Sequence, residues 1–514
     1  MFLMSGNKWA WSFVILAILK EQYMRKLIIV ALVVGLSTSV VHAQKDKKLV
    51  EKTVSKPSIQ AHLKFLSSDA MKGRDTPSPE LEIAAEYLRE QLELYGVKPF
   101  AQYPDYFQPV NMKKKVKPKS GTITVDTSSF TIGEDFLLLQ GSNLDWSGEF
   151  VFMDYALPDE IKFEDVKGKF IVTNTGDGEE KSPRAWFSLS REKRKAAEEA
   201  GAVGFIELYN SPMIPWQLLV RYFSGDQVVL DEGDEQSEFV GIWMSNANWS
   251  ASPVFEGQEE MSVSMTGASS DKFVVNNVVG YIEGTDAELK NDYVAYTAHY
   301  DHIGVGKADS TGDDIYNGTR DNAIGTVTVL EAAKNLGKYP TKRSSLFVMF
   351  AGEEKGLLGS EWYVDHSPLP LKDIVFCFNS DNGGYNNTSM ATVIGLDRTT
   401  AEPQLRQAIE AFGLTPGDDA NYKEQNLFDR SDNVSFAKKG VPAPSFGMGV
   451  DAFDEKVMST YHQPSDEFET VDMDYLYTFY RAYVFAGRLI GNMKETPFWV
   501  EGDKYYETGK ELYK

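Results

Sequence analysis

Five short segments carry side chains whose types could do metal-assisted acid–base chemistry. In TAHYDHIG (Thr297–Gly304), His299 offers an imidazole ligand and Asp301 a carboxylate able to hold its second nitrogen and fix the tautomer. In NGTRDNAIG (Asn317–Gly325), Asp321 lies at a polar turn before a helix; its two oxygens could bridge two cations about 3.5–4 Å apart, or simply cap the helix. MFAGEEKGLLGS (Met349–Ser360) runs from an apolar strand into Glu353 and Glu354. Adjacent carboxylates in such a place are costly unless a cation accepts them. Neighbouring side chains diverge, so one could bind metal while the other handles a water; the ordinary alternative is a charged helix start. CFNSDNGGY (Cys377–Tyr385) ends another apolar run in Asp381, and TYHQPSDEF (Thr460–Phe468) holds His462 in a loop. Each residue alone has a plain reading as cap, turn or loop. Together, two histidines and several carboxylates make a mixed nitrogen and oxygen ligand set suited to zinc. The chain has no HExxH, GxSxG, GxxxxGK[ST] or GxGxxG, so a helix-borne zinc protease, a serine hydrolase of the elbow type and a nucleotide-binding protein lack support.

The elements that must position these groups are legible from hydrophobic pattern. Runs rich in Val, Ile and Phe predict strands at Val274–Ile282, Tyr293–Ala298, Leu346–Ala351 and Ile374–Asn379, with a helix over Ile324–Leu336. Alternating strands and helices imply an α/β domain with a buried, partly parallel sheet. Most of the polar motifs begin where a strand ends, the place where open α/β sheets carry their sites. Upstream, Leu81, Ala84, Ala85, Leu88, Leu92 and Tyr95 recur at helical spacing between Pro79 and Gly96. Residues 120–270 read as mostly β, with a local βαβ pattern: strand Val166–Val172, helix Arg191–Ala202, strand Val203–Tyr209.

The chain has 514 residues, enough for two or three domains. Four of its 52 Lys and Arg and one of its 75 Asp and Glu fall in residues 1–43, leaving 48 against 74, a net −26. Such a surface repels nucleic acid and anionic membranes. The single cysteine, Cys377, sits in IVFCF and reads as a buried small hydrophobe. MRKLIIVALVVGLSTSVVHAQ, from Met24, has a basic start, an apolar stretch and a Val-His-Ala ending, the pattern of a bacterial secretory signal cut after Ala43. The mature protein is therefore expected in the periplasm or outside the cell, without membrane attachment; residues 1–23 precede this better start.

The ordered set AHYDHIG, GTRDNAIG, AGEEKGLLGS, NSD and YHQPSDEF resembles the zinc aminopeptidase family that also includes glutamate carboxypeptidase and the non-enzymatic transferrin receptor. LKFLSSDAMKGRDTPSPELEIAAEYL resembles the lead-in of its exported bacterial members, and VKGKFIV with AGAVGFIEL resembles an inserted protease-associated (PA) domain. The resemblance implies a three-layer α/β/α zinc exopeptidase domain with a mixed, mostly parallel sheet, plus a mostly β PA-like insertion. Its expected layout is residues 1–43 as upstream segment and signal, 44–119 and 271–497 as the peptidase domain, 120–270 as the insertion and 498–514 as a tail. It implies two Zn2+, one held by His299 and Asp381, the other by Glu354 and His462, with Asp321 bridging. Glu353 would be the general base and Asp301 the support of His299, with a cis peptide between Asp321 and Asn322. The substrates would be peptides or small proteins, cut most often as by an aminopeptidase. Carboxypeptidase or dipeptidase action, a single-zinc glutaminyl cyclase-like acyltransferase and a non-catalytic receptor are the alternatives. Thr319, Arg320, Ile324 and Asn433 depart from the family pattern; Arg320 is expected to touch substrate choice or site charge, and Asn433 the substrate pocket.

Overall fold

The computed structural model describes residues 43–179, 183–210, 214–233, 238–250 and 260–514. The predicted export signal lies outside the described residues except for Ala43, as do residues 1–23. Among the described residues no helix is long and apolar enough to cross a membrane. Two compact units form: one joins the chain up to Val110 with Val275–Lys514, the other is Asn111–Val274.

The larger unit contains helices α1 (Lys56–Leu66) and α2 (Pro79–Leu94), strands β1 (Ser269–Ile282) and β2 (Tyr293–His299), then α3 (Gly325–Lys338), β3 (Ser344–Phe350), α4 (Leu358–Asp365), β4 (Ile374–Asn379), β5 (Met390–Ile394), β6 (Thr415–Gly417), α5 (Asn433–Lys438), β7 (Ser445–Met448) and α6 (Met473–Asn492). Seven strands of its sheet run β6-β5-β7-β4-β2-β3-β1, and Phe107–Val116 lies next to β1. The central trio β4, β2 and β3 is parallel, while β1 against β3 and β5 against β7 are antiparallel. Every residue of β2 from Val294 to His299, and all of β3 and β4, is buried, as expected where helices cover both faces.

Strand alternation sorts these residues into two apolar layers. Tyr296, Phe347 and Phe378 face Tyr483 of α6, with Phe378 and Tyr483 stacked at 4.4 Å. Ala295, Leu346, Val348, Phe350 and Cys377 face the other way, into a cluster with Tyr363, Val364 and Phe436 from α4 and α5. Helix, sheet and helix are therefore stacked as three layers. In α2 the Ser78 hydroxyl accepts from the Leu81 amide, Pro79 opens the first turn, and the predicted apolar stripe is buried. Residues 498–514, set apart in the sequence as a tail, instead pack onto this unit: Trp499 is 1% exposed and Tyr513 Oη donates to the Ile374 carbonyl at 2.6 Å.

The smaller unit has an eight-stranded sheet in which Leu144–Met153, Phe170–Asn174, Gly204–Tyr209 and Val240–Ser245 run parallel. The predicted βαβ pattern is present, with the helix spanning Pro183–Glu199. The strand expected from Val166 starts at Phe170, because Phe163–Val166 forms a helical turn and Gly168 reverses the chain at φ +74°.

Candidate metal centre

Parallel strands bring their carboxyl ends to one edge. His299 closes β2, Glu353 and Glu354 follow β3, and Asp381 follows β4, so three motifs separated by tens of residues converge there. Asp321 comes from the buried turn Thr319–Ile324 ahead of α3, which starts only at Gly325; Asp321 is therefore not the cap of that helix. The peptide Asp321–Asn322 is cis. Gly318, at φ +58°, opens the turn, and a Cβ there would stand 2.3 Å from the Asp321 carbonyl. His462 enters from the loop after Glu455–Met458, its ring stacked on Tyr461 at 4.1 Å.

The two oxygens of Asp321 face different imidazoles. Oδ1 lies 3.4 Å from His299 Nε2, which is also 3.2 Å from Asp381 Oδ1. Oδ2 lies 3.1 Å from His462 Nε2, which is 3.4 Å from Glu354 Oε2. Ligand atoms placed tetrahedrally at zinc distances are about 3.3 Å apart, so both clusters have the spacing of a closed coordination shell. The other nitrogen of His299, Nδ1, donates to the Asp301 carbonyl at 3.2 Å. A neutral ring so oriented turns the Nε2 lone pair at two carboxylate oxygens, which is unfavourable unless a cation lies between them. The residues present thus fit a pair of divalent cations.

The electrostatics agree. Burial pushes the Glu353 carboxyl well above the usual range, with Asp381, Asp432 and Glu354 adding and His299 opposing. Burial likewise raises Glu354. For His299, burial favours the neutral ring, but Glu353, Asp381 and Asp321 outweigh it and raise its pKa well above the ordinary value. Glu353 and Glu354 therefore hold a proton more tightly than ordinary carboxylates until another cation replaces it. Glu353 stays apart from both clusters, its Oε2 4.0 Å from His299 Nε2, and it lines an open cleft of about 130 Å³ with Asp321, Glu354, Asp381 and His462. A larger hollow of about 790 Å³ in the smaller unit carries two charged lining residues, Glu149 and Lys169, which pair with each other at 2.8 Å.

Residues 277–485, which contain His299, Asp301, Asp321, Glu353, Glu354, Asp381 and His462, match the model of peptidase family M28. Over that segment the chain is similar to the family. It is 28% identical over 320 residues to aminopeptidase YwaD of Bacillus subtilis, covering 61% of this chain and 60% of that protein. It is 25% identical over 313 residues to leucine aminopeptidase 2 of Arthroderma otae, covering 58% of each. The chain thus spans about 60% of the length of the curated relatives it matches. Among solved structures, the aminopeptidase of Aneurinibacillus sp. strain AM-1 shares the fold, with a TM-score of 0.58, 20% identity and coverage of 88% and 97%.

The M28 segment also shows where the sequence misleads. Asp301 supports His299 through its backbone carbonyl; its carboxylate Oδ1 is farther, at 3.7 Å, and accepts from the Glu353 amide at 3.2 Å. Arg320 does not reach the cleft: Asp466 Oδ1 at 2.8 Å and the Thr470 carbonyl at 2.9 Å hold its guanidinium. Asn433 is buried and donates to the Phe428 and Ala443 carbonyls, each at 3.1 Å, so it braces α5 instead of lining the pocket. Sequence reasoning passed over His302, which is fully buried and donates from Nδ1 to Glu354 Oε1 at 2.7 Å, leaving Oε2 to face His462. It also passed over Asp432, which is buried beside the site and raised by burial to about 7. His302 was visible as a second histidine three residues after the first.

Proposed function

We propose that the protein is an exported zinc aminopeptidase with two metal ions, His299 and Asp381 holding one, Glu354 and His462 the other, and Asp321 shared. The observation that carries this reading is the splitting of the Asp321 oxygens between two imidazole–carboxylate sets. Zinc, when bound, would supply the Lewis acidity that makes water nucleophilic near neutral pH and stabilises the developing oxyanion. Glu353 is suited to take a proton from that water and to return it to the leaving amine, since it lines the cleft, is not needed as a ligand and holds a proton strongly. Asp301 grips the Glu353 amide and so fixes where the carboxylate starts. His302 and the Asp301 carbonyl orient Glu354 and His299, the task of outer groups around a metal.

Four carboxylates and one guanidinium, Arg430, line the cleft. Two divalent cations would offset those four carboxylates, so the choice of a free α-amine over a free carboxylate at the substrate terminus rests on the relatives named above, which are called aminopeptidases. Ile394, Leu427 and Phe453 give an apolar wall for a terminal side chain. The smaller unit is read as a PA-like insertion, and export rests on the Met24–Ala43 pattern.

The test is a zinc assay of purified protein with hydrolysis of a tripeptide left free, N-acetylated or C-amidated. About two zinc per chain is expected, with cleavage of the free and amidated peptides and none of the acetylated one. Cleavage that requires the free carboxylate would assign a carboxypeptidase instead. One zinc at saturation would remove the bridging role of Asp321. N-terminal sequencing of the exported protein should begin at Gln44.

A further inference from the structure

The lead-in turn at Met71–Thr76 supplies no ligand, yet it grips the metal centre at three points. Arg74 is 1% exposed. Its Nε donates to the Tyr300 carbonyl at 2.8 Å, Nη1 to Asn317 at 2.8 Å and Leu66 at 2.5 Å, and Nη2 to Gly318 at 3.1 Å. Tyr300 sits between His299 and Asp301, and Asn317 and Gly318 lead into Asp321. One rigid guanidinium therefore ties the loop of the first imidazole to the loop of the shared carboxylate. Thr76 Oγ1 donates to Asp301 Oδ2 at 3.0 Å, while Asp301 Oδ1 receives the Glu353 amide. Lys355, next to Glu354, meets Asp75 at 2.5 Å. Gly73 lets the turn come this close: at φ +67° a Cβ would lie 2.3 Å from the Tyr316 carbonyl.

A buried cation is costly unless its donors are satisfied, and four carbonyls use most of the five N–H groups that Arg offers. Among the described residues no carboxylate is hydrogen-bonded to it. Its charge is felt instead by Asp301, Asp321, Asp466 and Glu354. From the other side Asp466 Oδ2 accepts from the Arg320 amide at 2.8 Å and the Asp321 amide at 3.2 Å. The segment 317–321 thus has its carbonyls on a buried cation and its amides on a buried anion. Lysine could keep the charge but not the fork that reaches several carbonyls at once.

We propose that Arg74 and Thr76 are positioning residues of the metal centre: Arg74 sets the His299 and Asp321 loops in register with each other, and Thr76 sets Asp301 beneath Glu353. The inference rests on the zinc reading above. In the full chain, R74K, T76V and T76S are stripped with chelator and retitrated with zinc against a chromophoric competitor, and kcat and KM are measured well below each Tm. R74K is expected to bind zinc at least tenfold more weakly and to lose at least 100-fold in kcat, with KM within threefold, and its cobalt form to show shifted visible bands. T76V is expected to lose at least tenfold in kcat and T76S to recover it. An R74K protein with the parent's zinc affinity and kcat, whatever its Tm, overturns the proposal, as does T76V equal to the parent. Should R74K fail to fold, the Thr76 pair, which leaves the buried cation in place, decides. A parent that takes up no zinc overturns the metal reading itself, a result distinct from a parent and variants that load alike.

Discussion

Glu353 and Glu354 are neighbours in the chain with opposite surroundings. Glu354 is fixed at one oxygen by His302 and faces His462 with the other, whereas Glu353 looks into the cleft. The Glu353→Gln variant is expected to keep the parent's zinc content and lose about 10²–10⁴-fold in kcat, since only the proposed proton acceptor is removed; metal analysis beside steady-state rates checks this. Asp321→Ala should lose zinc from both positions, read by the same assay. The metal-free protein should also show a defined pH response. Burial raises the folded-state pKa of Asp301 to about 6 and of Asp432 to about 7, and raises Glu353 and Glu354. Such acids weaken folding as pH rises through these values. His299 and His462, raised by their carboxylate neighbours against burial, add stability below about pH 6.5 that is lost as pH rises through their folded values. His62 and His302, lowered by burial to about 4, act oppositely, but only between about pH 4 and 6.5. From pH 6.5 to 8 the Tm of stripped protein should fall, and the gain on adding zinc should widen; calorimetry in a non-chelating buffer measures both. The proposed ligands were legible because each stands beside a strand end or a turn signal. Arg74, Thr76 and Asp466 were not, because the partners of their side chains, Leu66 of Arg74 apart, lie 145–244 residues away and are mostly backbone groups, which leave no spacing to read.

Elements were read more faithfully than contacts. β4 was found at its observed bounds and β2 to within one residue, because fully buried parallel strands are unbroken apolar runs. The π-type turn before α3 was not foreseen, since Asp-Asn reads as an ordinary cap. Packing of α6 on the sheet depends on Gly487, where a Cβ would stand 2.5 Å from the Tyr296 ring. Gly487→Ala should cost about 1–3 kcal/mol by overpacking, shown as a lower urea midpoint, with zinc affinity within a factor of about two. A loss of zinc at unchanged stability would mean that α6 communicates with the metal edge in a way its packing does not suggest.

At the scale of the molecule, the larger unit is interrupted by Asn111–Val274, and the interruption opens between the neighbouring strands Phe107–Val116 and β1. Tyr106 O accepts from the Val279 amide at 2.8 Å, and Gln108 Oε1 from Asn277 Nδ2 at 2.9 Å. Val110 and Val275 can therefore be rejoined by a two-residue hairpin turn. The shortened chain is expected to fold and to bind zinc within about threefold of the parent affinity, and any change in peptide length preference would report what the removed unit contributes. The two imidazoles are also unequally sheltered: the His299 side chain is 1% exposed and that of His462 is 37% exposed. Water and small chelators can reach one half of the centre and hardly the other. The proposed pair of ions should therefore empty in order, the outer leaving first and the inner lagging, so that brief dialysis yields a half-loaded protein whose remaining ion reports on the sheltered half alone.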